Sequence, residues 1–236
     1  MPPGRRPPTA SSESELREPR PDRTLDRERM VERQLRGRDV RSGRVLDAFR
    51  AVPRERFVRD DLEGSAYDDK PLPIGEGQTI SQPYIVALMV EALDVRPTDR
   101  VLEVGAGSGY AAAILSLLAR RVYAIERHPR LAEAARERVA RLGYDNVEIR
   151  AGNGTLGWAE AAPFDAILVS AGGQAVPGPL VDQLAPGGRL VAPVGGPRKQ
   201  ELLRITKTPD GATTRERLAA VRFVPLVGEL DRGGTA

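Results

Sequence analysis

The run Glu103-Val-Gly105-Ala106-Gly107-Ser108-Gly109-Tyr110 sets three glycines at alternate positions, directly after a short apolar segment, Val101–Val104. Glycines at this density let the backbone turn tightly and let a ligand approach the peptide groups. Seventeen residues after Gly109 a second apolar segment ends in Glu126, followed by Arg127. An acid in that position can accept hydrogen bonds from both hydroxyls of a ribose. A dinucleotide's pyrophosphate calls for GxGxxG over a helix N-terminus. This loop instead reads GxGxG, with Glu103 two residues before it. A carboxylate there repels phosphates and attracts cations. The pattern therefore favours S-adenosyl-L-methionine, with its ammonium and sulfonium, over a nicotinamide dinucleotide. Gly152-Asn153-Gly154 follows the next apolar segment, where Asn153 offers a donor and an acceptor to an adenine edge. Read alone, it is an ordinary turn.

Other chemistry is restricted by composition. The chain has no cysteine and one histidine, His128, so thiolate nucleophiles and histidine clusters are excluded and no metal site is expected. His128 precedes Pro129 and is expected as an exposed helix N-cap; Tyr110 and Trp158 are expected to pack rather than stack on a ligand. The remaining candidate hydroxyl lies in Pro71–Pro83, PLPIGEGQTISQP. Three prolines and two glycines argue against regular structure there, yet Leu72, Ile74 and Ile80 should hold the loop down. An ordered loop of that length is often functional. Ser81 has two readings on its residues alone: a cap for a helix beginning near Tyr84, or a hydroxyl aimed at a substrate.

These groups need a scaffold. Residues 1–28, rich in Pro, Arg, Ser and Glu, are expected to be a disordered tail. Residues 29–236 are expected to form one domain. Within it, 29–99 supply helices and the Ser81 loop, 100–207 the cofactor core, and 208–236 a segment on the substrate side. Ser42 is a candidate N-cap for a helix burying Val45, Leu46 and Phe49, which stops near Pro53. Strands are expected at Val101–Val104, Arg121–Ile125, Asn146–Ala151, Phe164–Ser170, Arg189–Pro193 and Glu201–Thr206. Between the second and third, Pro129 opens a helix with a stripe of Leu131, Ala135, Val139 and Leu142, and Gly143 ends it. Apolar strands alternating with helices predict an α/β fold: a Rossmann-like, doubly wound, mostly parallel sheet with helices on both faces. Such sheets bind ligands beyond the carboxyl ends of their strands. The 36 basic and 33 acidic residues nearly balance, which reads as a solvated surface rather than a nucleic-acid footprint. No apolar run suits a membrane span or a signal peptide, so a cytoplasmic protein is expected.

From Met30 to Leu230 the chain resembles the protein-L-isoaspartate (D-aspartate) O-methyltransferases, a family of class I S-adenosylmethionine-dependent methyltransferases. The resemblance rests on four segments: Arg44–Phe57, RVLDAFRAVPRERF; Tyr67–Pro83, with its Gln-Thr-Ile-Ser-Gln-Pro; Pro163–Ile167; and Val221–Leu226. It implies that Ser81 is the active-site residue, with Thr79 and Ile80 lining the cleft. It implies cofactor contacts from Glu103, Gly105–Tyr110, Glu126, Arg127, Asn153 and Gly154. It also implies a substrate grip from Gln82, Val221, Arg222, Phe223, Val224 and Pro225. The implied acceptors are L-isoaspartyl and D-aspartyl residues of damaged proteins and peptides, and the implied product is S-adenosyl-L-homocysteine. The methyl ester then collapses to a succinimide, and hydrolysis returns some normal aspartate. Two positions depart from the family pattern. Asn153 stands where Asp is usual, which removes a charge from the adenosine site. Ser170-Ala-Gly-Gly173 replaces a Thr-Ala-Ala run, which alters packing near the site.

The chemistry suits these residues. A carboxylate, with a pKa of roughly 4, is already ionised at neutral pH and needs no general base. The enzyme has to align oxygen, methyl and sulfur, exclude water and orient the acid. The rival readings are a same-fold enzyme with an RNA or small-molecule acceptor, one dedicated to a single peptide aspartate, an NAD-dependent oxidoreductase and a non-catalytic binding protein. A monomer with little sequence preference, gripping its substrate by the backbone, is expected.

Overall fold

The computed structural model describes residues 22–196 and 198–228. Residues 1–21 of the expected tail lie outside it. The remainder of that tail is ordered: α1 spans Thr24–Met30 and runs on into a π-helical turn, Val31–Arg36. Two contacts fix its start. Asp22 Oδ1 accepts from the Thr24 amide at 2.9 Å, and Arg23 Nη1 donates to the Glu63 carbonyl at 2.9 Å. Helix α2, Gly43–Ala51, starts at Ser42, whose hydroxyl accepts from the Val45 amide, and buries Val45, Leu46 and Phe49. Burying each such side chain contributes about 1.5–3 kcal/mol.

Pro71–Pro83 is more regular than expected. Strands β1, Leu72–Gly75, and β2, Gln78–Ile80, form an antiparallel hairpin. Gly75, Glu76 and Gly77 all have positive φ, so the two glycines serve the turn. A two-stranded ribbon has free outer edges, so Pro73 can sit in it without forfeiting a ladder bond. Pro83 opens α3, Pro83–Leu93, at a position where its missing N–H costs nothing. The far end of α3 is bolted to the sheet by Arg189, which donates to the Leu93 carbonyl at 2.8 Å and pairs with Asp99 at 2.9 Å. Ser81 therefore stands at the head of a helix fixed at its tail.

The main sheet contains β3, Arg100–Val104; β4, Arg121–Glu126; β5, Val147–Ala151; β6, Phe164–Val169; β7, Leu184–Gly196; β8, Lys199–Lys207; and β9, Thr213–Val221. Helices α4, Tyr110–Ser116, α5, Pro129–Arg141, and α6, Gly178–Asp182, join them. The order is β5-β4-β3-β6-β7-β8-β9. The first five strands are parallel, and β8 runs antiparallel to both β7 and β9. Strand β9 was not expected. Its first residues, Thr213–Arg217, are all exposed, so the segment carries no apolar alternation to announce a strand. Strand β7 begins before Arg189, through the pairing of Leu184 with Phe164.

Alternation along the central strands builds two cores. Val101, Val122, Ala124, Ala166, Leu168 and Val191 face the layer containing α2 to α5. Leu102, Val104, Ile125, Ile167, Val169 and Leu190 face Trp158 and the Leu180 of α6. The strand order reverses between β3 and β6, which opens a crevice at their carboxyl ends. Among the described residues, no helix is long and apolar enough to cross a membrane.

Candidate active site

The glycine loop is built by backbone bonds to the neighbouring strand. The amides of Gly105 and Ala106 both donate to the Ile125 carbonyl, at 2.8 and 3.1 Å. Gly105, Gly107 and Gly109 all have positive φ, which bends the loop over the tip of β3. A Cβ on Gly109 would lie 3.2 Å from Val139 Cγ1, so this glycine lets the start of α4 approach α5.

Glu126 ties the loop to the next turn. Its Oε2 accepts from the Gly107 amide at 2.8 Å and its Oε1 from the His128 amide at 2.9 Å. The buried carboxylate thus organises both edges of one cavity, and each oxygen keeps a second lone pair for a ligand hydroxyl. That cavity is lined by Thr79, Gly105, Gly107, Glu126, Arg127, Gly154 and Val224–Val227, among others. Gly154 is forced by space: a Cβ there would lie 2.5 Å from Val104 Cγ1.

A second, adjoining cavity is lined by Thr79, Ile80, Ser81, Glu103, Gly105–Ser108, Tyr110 and Ser170. Glu103 is 1% exposed and its Oε2 has no hydrogen-bond partner. Burial, then the nearby Glu126 carboxylate, push Glu103 well above the usual carboxylate range, and the Ser170 hydroxyl opposes them. A buried acceptor without a donor is costly, and a cationic donor in the cavity relieves it. Two acids and a glycine cradle therefore fit a ligand with an adenosine at one end and an ammonium and sulfonium at the other.

The third space is a cleft of about 670 Å³ lined by Pro71, Thr79, Ser81, Gln82, Ile85, Ser170 and Ala220–Val224. That volume falls within the roughly 300–1,000 Å³ of ligand pockets. Its wall after β9 is a pinned strap. Gln200 Oε1 accepts from the Phe223 amide at 2.7 Å, the Gly172 amide donates to the Val224 carbonyl at 2.8 Å, and the Leu226 amide donates to the Gly172 carbonyl at 2.7 Å. A Cβ on Gly172 would lie 2.3 Å from Gln200 Nε2, so the Gly-Gly of Ser170–Gly173 admits the strap.

Ser81 lines both the Glu103 cavity and the cleft. It does not cap α3: the N-cap position is Gln82, without a side-chain cap bond. The Ser81 carbonyl accepts from Arg54 Nη2 at 2.9 Å, while Arg54 Nε donates to the Ala66 carbonyl at 2.8 Å. Gln82 Nε2 donates to Asp69 Oδ2 at 2.7 Å, and Arg38 pairs with Asp69 at 3.0 Å. Thr79 and Ser170 line all three spaces. Pro225 lines the Glu126 cavity rather than the cleft.

Two candidates stand apart from these linings. Gly109 serves packing, as described. Asn153 turns its Oδ1 to the Thr155 amide at 3.1 Å and hydroxyl at 2.8 Å, so its acceptor closes a local turn. Tyr110 packs edge-on against Phe49 and Phe57 while lining the Glu103 cavity. His128 sits at the N-cap position of α5 without a side-chain cap bond, and its Nδ1 lies 3.9 Å from Glu76. Sequence reasoning missed Ser170, Arg54 and Gln200. Ser170 follows the strand beside the reversal of strand order, a placement that topology alone could have flagged.

A parallel sheet reversing at β3/β6, with a glycine loop after β3, an acid ending β4 and an antiparallel β8 beside β7, has the architecture of the class I S-adenosylmethionine-dependent methyltransferases. The chain belongs to the family described as Protein-L-isoaspartate(D-aspartate) O-methyltransferase, whose sequence profile matches residues 25–231. It is 59% identical over 225 residues to the protein-L-isoaspartate O-methyltransferase of Methylorubrum extorquens (strain PA1), covering 95% of this chain and 96% of that protein. The enzyme of the same name from Pelotomaculum thermopropionicum is 57% identical over 208 residues, covering 88% of this chain and 91% of that one. A solved protein-L-isoaspartate O-methyltransferase aligns with a TM-score of 0.79 at 32% identity, over 86% of this chain and 67% of that one. Another, from Plasmodium falciparum and in complex with S-adenosyl-L-homocysteine, aligns with a TM-score of 0.74 at 28% identity, over 86% and 98% of the two chains.

Proposed function

We propose that this chain transfers the methyl group of S-adenosyl-L-methionine to the free carboxylate of L-isoaspartyl and D-aspartyl residues in damaged proteins and peptides. One carboxylate oxygen gains the methyl as the sulfur–methyl bond breaks, and S-adenosyl-L-homocysteine leaves. The observation that carries the reading is the position of Ser81, on the wall shared by the cavity of Glu103 and the open cleft.

When bound, the cofactor supplies a methyl group made electrophilic by its sulfonium charge. Glu103 would hold the ammonium end and Glu126 the ribose, with contact from Gly105–Ser108 and Tyr110. Arg127 and Gly154 would border the adenosine, and Asn153, its acceptor turned to Thr155, keeps only its amide nitrogen as a donor next to Gly154. In the cleft, Ser81 donates one hydrogen bond to the acceptor carboxylate without losing its own proton. Thr79 and Ile80 narrow the passage, and Gln82 with Val221–Pro225 grips the substrate backbone. Arg54 holds the Ser81 carbonyl, so the hydroxyl starts from a fixed backbone.

The same proposal takes the enzyme to act as a monomer in the cytoplasm, on proteins and without nucleic acid or membrane. The near balance of 36 basic and 33 acidic residues supports the exclusion of nucleic acid. Repeated incubation of an isoaspartyl peptide with enzyme and donor is the test: normal aspartyl peptide should accumulate. An unchanged peptide, with donor bound and consumed elsewhere, would contradict the proposal.

A further inference from the structure

The acceptor cleft and the cofactor cavities differ in charge. The cavities hold two carboxylates, Glu103 and Glu126. Among the described residues, Arg222 is the one charged side chain lining the cleft. It is exposed and has no ion pair or hydrogen bond among the described residues. The acids around it are already matched. Asp69, behind Gln82, is paired with Arg38, and Glu201 of β8 is paired with Arg217. The register of β8 and β9 ends at Gln200 opposite Val221, so Lys199 follows on the strand beside Arg222. Lys199 is exposed and also without an ion pair among the described residues. Among the described residues, the mouth of the cleft therefore carries unmatched positive charge and no free carboxylate.

A methylated residue contributes one anion, which must lie at Ser81 to react. Arg222 follows β9, on the strap that walls the cleft, and can meet a second anion on the same peptide. We infer that Arg222 makes this enzyme select among damaged sites, favouring those with an acidic residue flanking the damaged one and disfavouring those with a basic residue there. The inference rests on the proposed reaction and refines it: grip on the backbone is general, and the charge of the flanks sets the rank. An exposed ion pair is screened by water and salt, so the effect is about two- to five-fold in affinity.

The test uses fluorescently labelled isoaspartyl peptides, identical except for a glutamate, glutamine or lysine placed on either side of the damaged residue. Binding anisotropy is read with S-adenosyl-L-homocysteine present, and ester formation with S-adenosyl-L-methionine. The expected result is that the glutamate peptide binds about two- to five-fold more tightly than the glutamine peptide, and the lysine peptide more weakly. These differences should vanish in Arg222→Gln and at high salt, and should persist in Arg222→Lys. Equal binding in the unaltered chain, or a preference that survives Arg222→Gln, overturns the inference. Ester formation with no ranking by charge removes this inference and leaves the proposed reaction standing. A ranking that Arg222→Gln abolishes, without any ester, does the reverse.

Discussion

Glu126→Gln keeps the length of the side chain and removes its charge. In the native protein the two oxygens accept from the Gly107 and His128 amides, at 2.8 and 2.9 Å. Glutamine has one oxygen, so whichever way its amide is turned, its NH2 faces a backbone N–H. One bond to a charged acceptor is lost and the other becomes neutral. A bond to a charged group contributes about 1.5–3 kcal/mol and a neutral one about 0.5–1.5 kcal/mol. The lost bond and the weakened one together cost about 2.5–4.5 kcal/mol at a site that is 5% exposed. Both amides belong to segments that line the Glu126 cavity, proposed to hold the cofactor, so the cost divides between folding and ligand affinity. About half of it in affinity, roughly 1.2–2.2 kcal/mol, raises the dissociation constant of S-adenosyl-L-homocysteine about eight- to forty-fold. The remainder lowers the melting temperature by a few degrees, as about 1 kcal/mol does in a domain of this size. Calorimetric titration and thermal unfolding read the two parts separately. An affinity within two-fold of the native value, with an unchanged melting temperature, refutes the claim that Glu126 organises the loop.

Ser81→Ala should lower turnover about ten- to a hundred-fold through loss of one donor to the reacting acid, while titration with S-adenosyl-L-homocysteine gives an unchanged affinity. Gly154→Ala places a methyl 2.5 Å from Val104 Cγ1 and should cost about 1–3 kcal/mol, read as weaker cofactor binding and partly restored by Val104→Ala. Glu103 is raised well above its ordinary 4.5 in the folded chain. The unfolded chain then holds fewer protons than the folded one between 4.5 and the raised value, so this group's stabilising contribution is complete below 4.5 and declines as pH rises through that window. Glu103→Gln cannot ionise, so its stability relative to the native chain should increase across the same window in urea titrations; a constant difference contradicts the assignment. The same variant should bind cationic S-adenosyl-L-methionine more weakly, because it cannot present a carboxylate to the ammonium.

The parts legible in the sequence are those whose local chemistry matches their final position. Alternate glycines with Glu103 and Glu126 announce the paired cavities at the tips of β3 and β4 because backbone and charge act there over a few residues. Ser42, Pro129 and Gly143 mark helix ends for the same reason. The parts that were not legible depend on distant partners. Prolines suggested an irregular segment at 71–83, but a hairpin with free edges tolerates Pro73, and the turn consumes Gly75 and Gly77. Strand β9 is held by pairing with β8 along its exposed first half, and only Leu218, Ala219 and Val221 at its end pack on the core. Asn153 offered an acceptor for adenine, and Thr155, two residues on, takes it. Arg54 is an arginine that is 0% exposed, a burial that its charge argues against; the carbonyls of Ala66 and Ser81 that receive it come from residues 12 and 27 positions away.

Two peptides that differ only in whether one residue is linked through its side chain or its main chain provide the most direct test. Each is mixed with purified protein and S-adenosyl-L-methionine labelled on the methyl group, and base-labile label is counted on the peptide. Label should enter the isoaspartyl peptide and stay at background on its aspartyl twin. Equal labelling of both, or none on either while the donor is demonstrably bound, would contradict the account of Ser81 as the meeting point of donor and damaged acid.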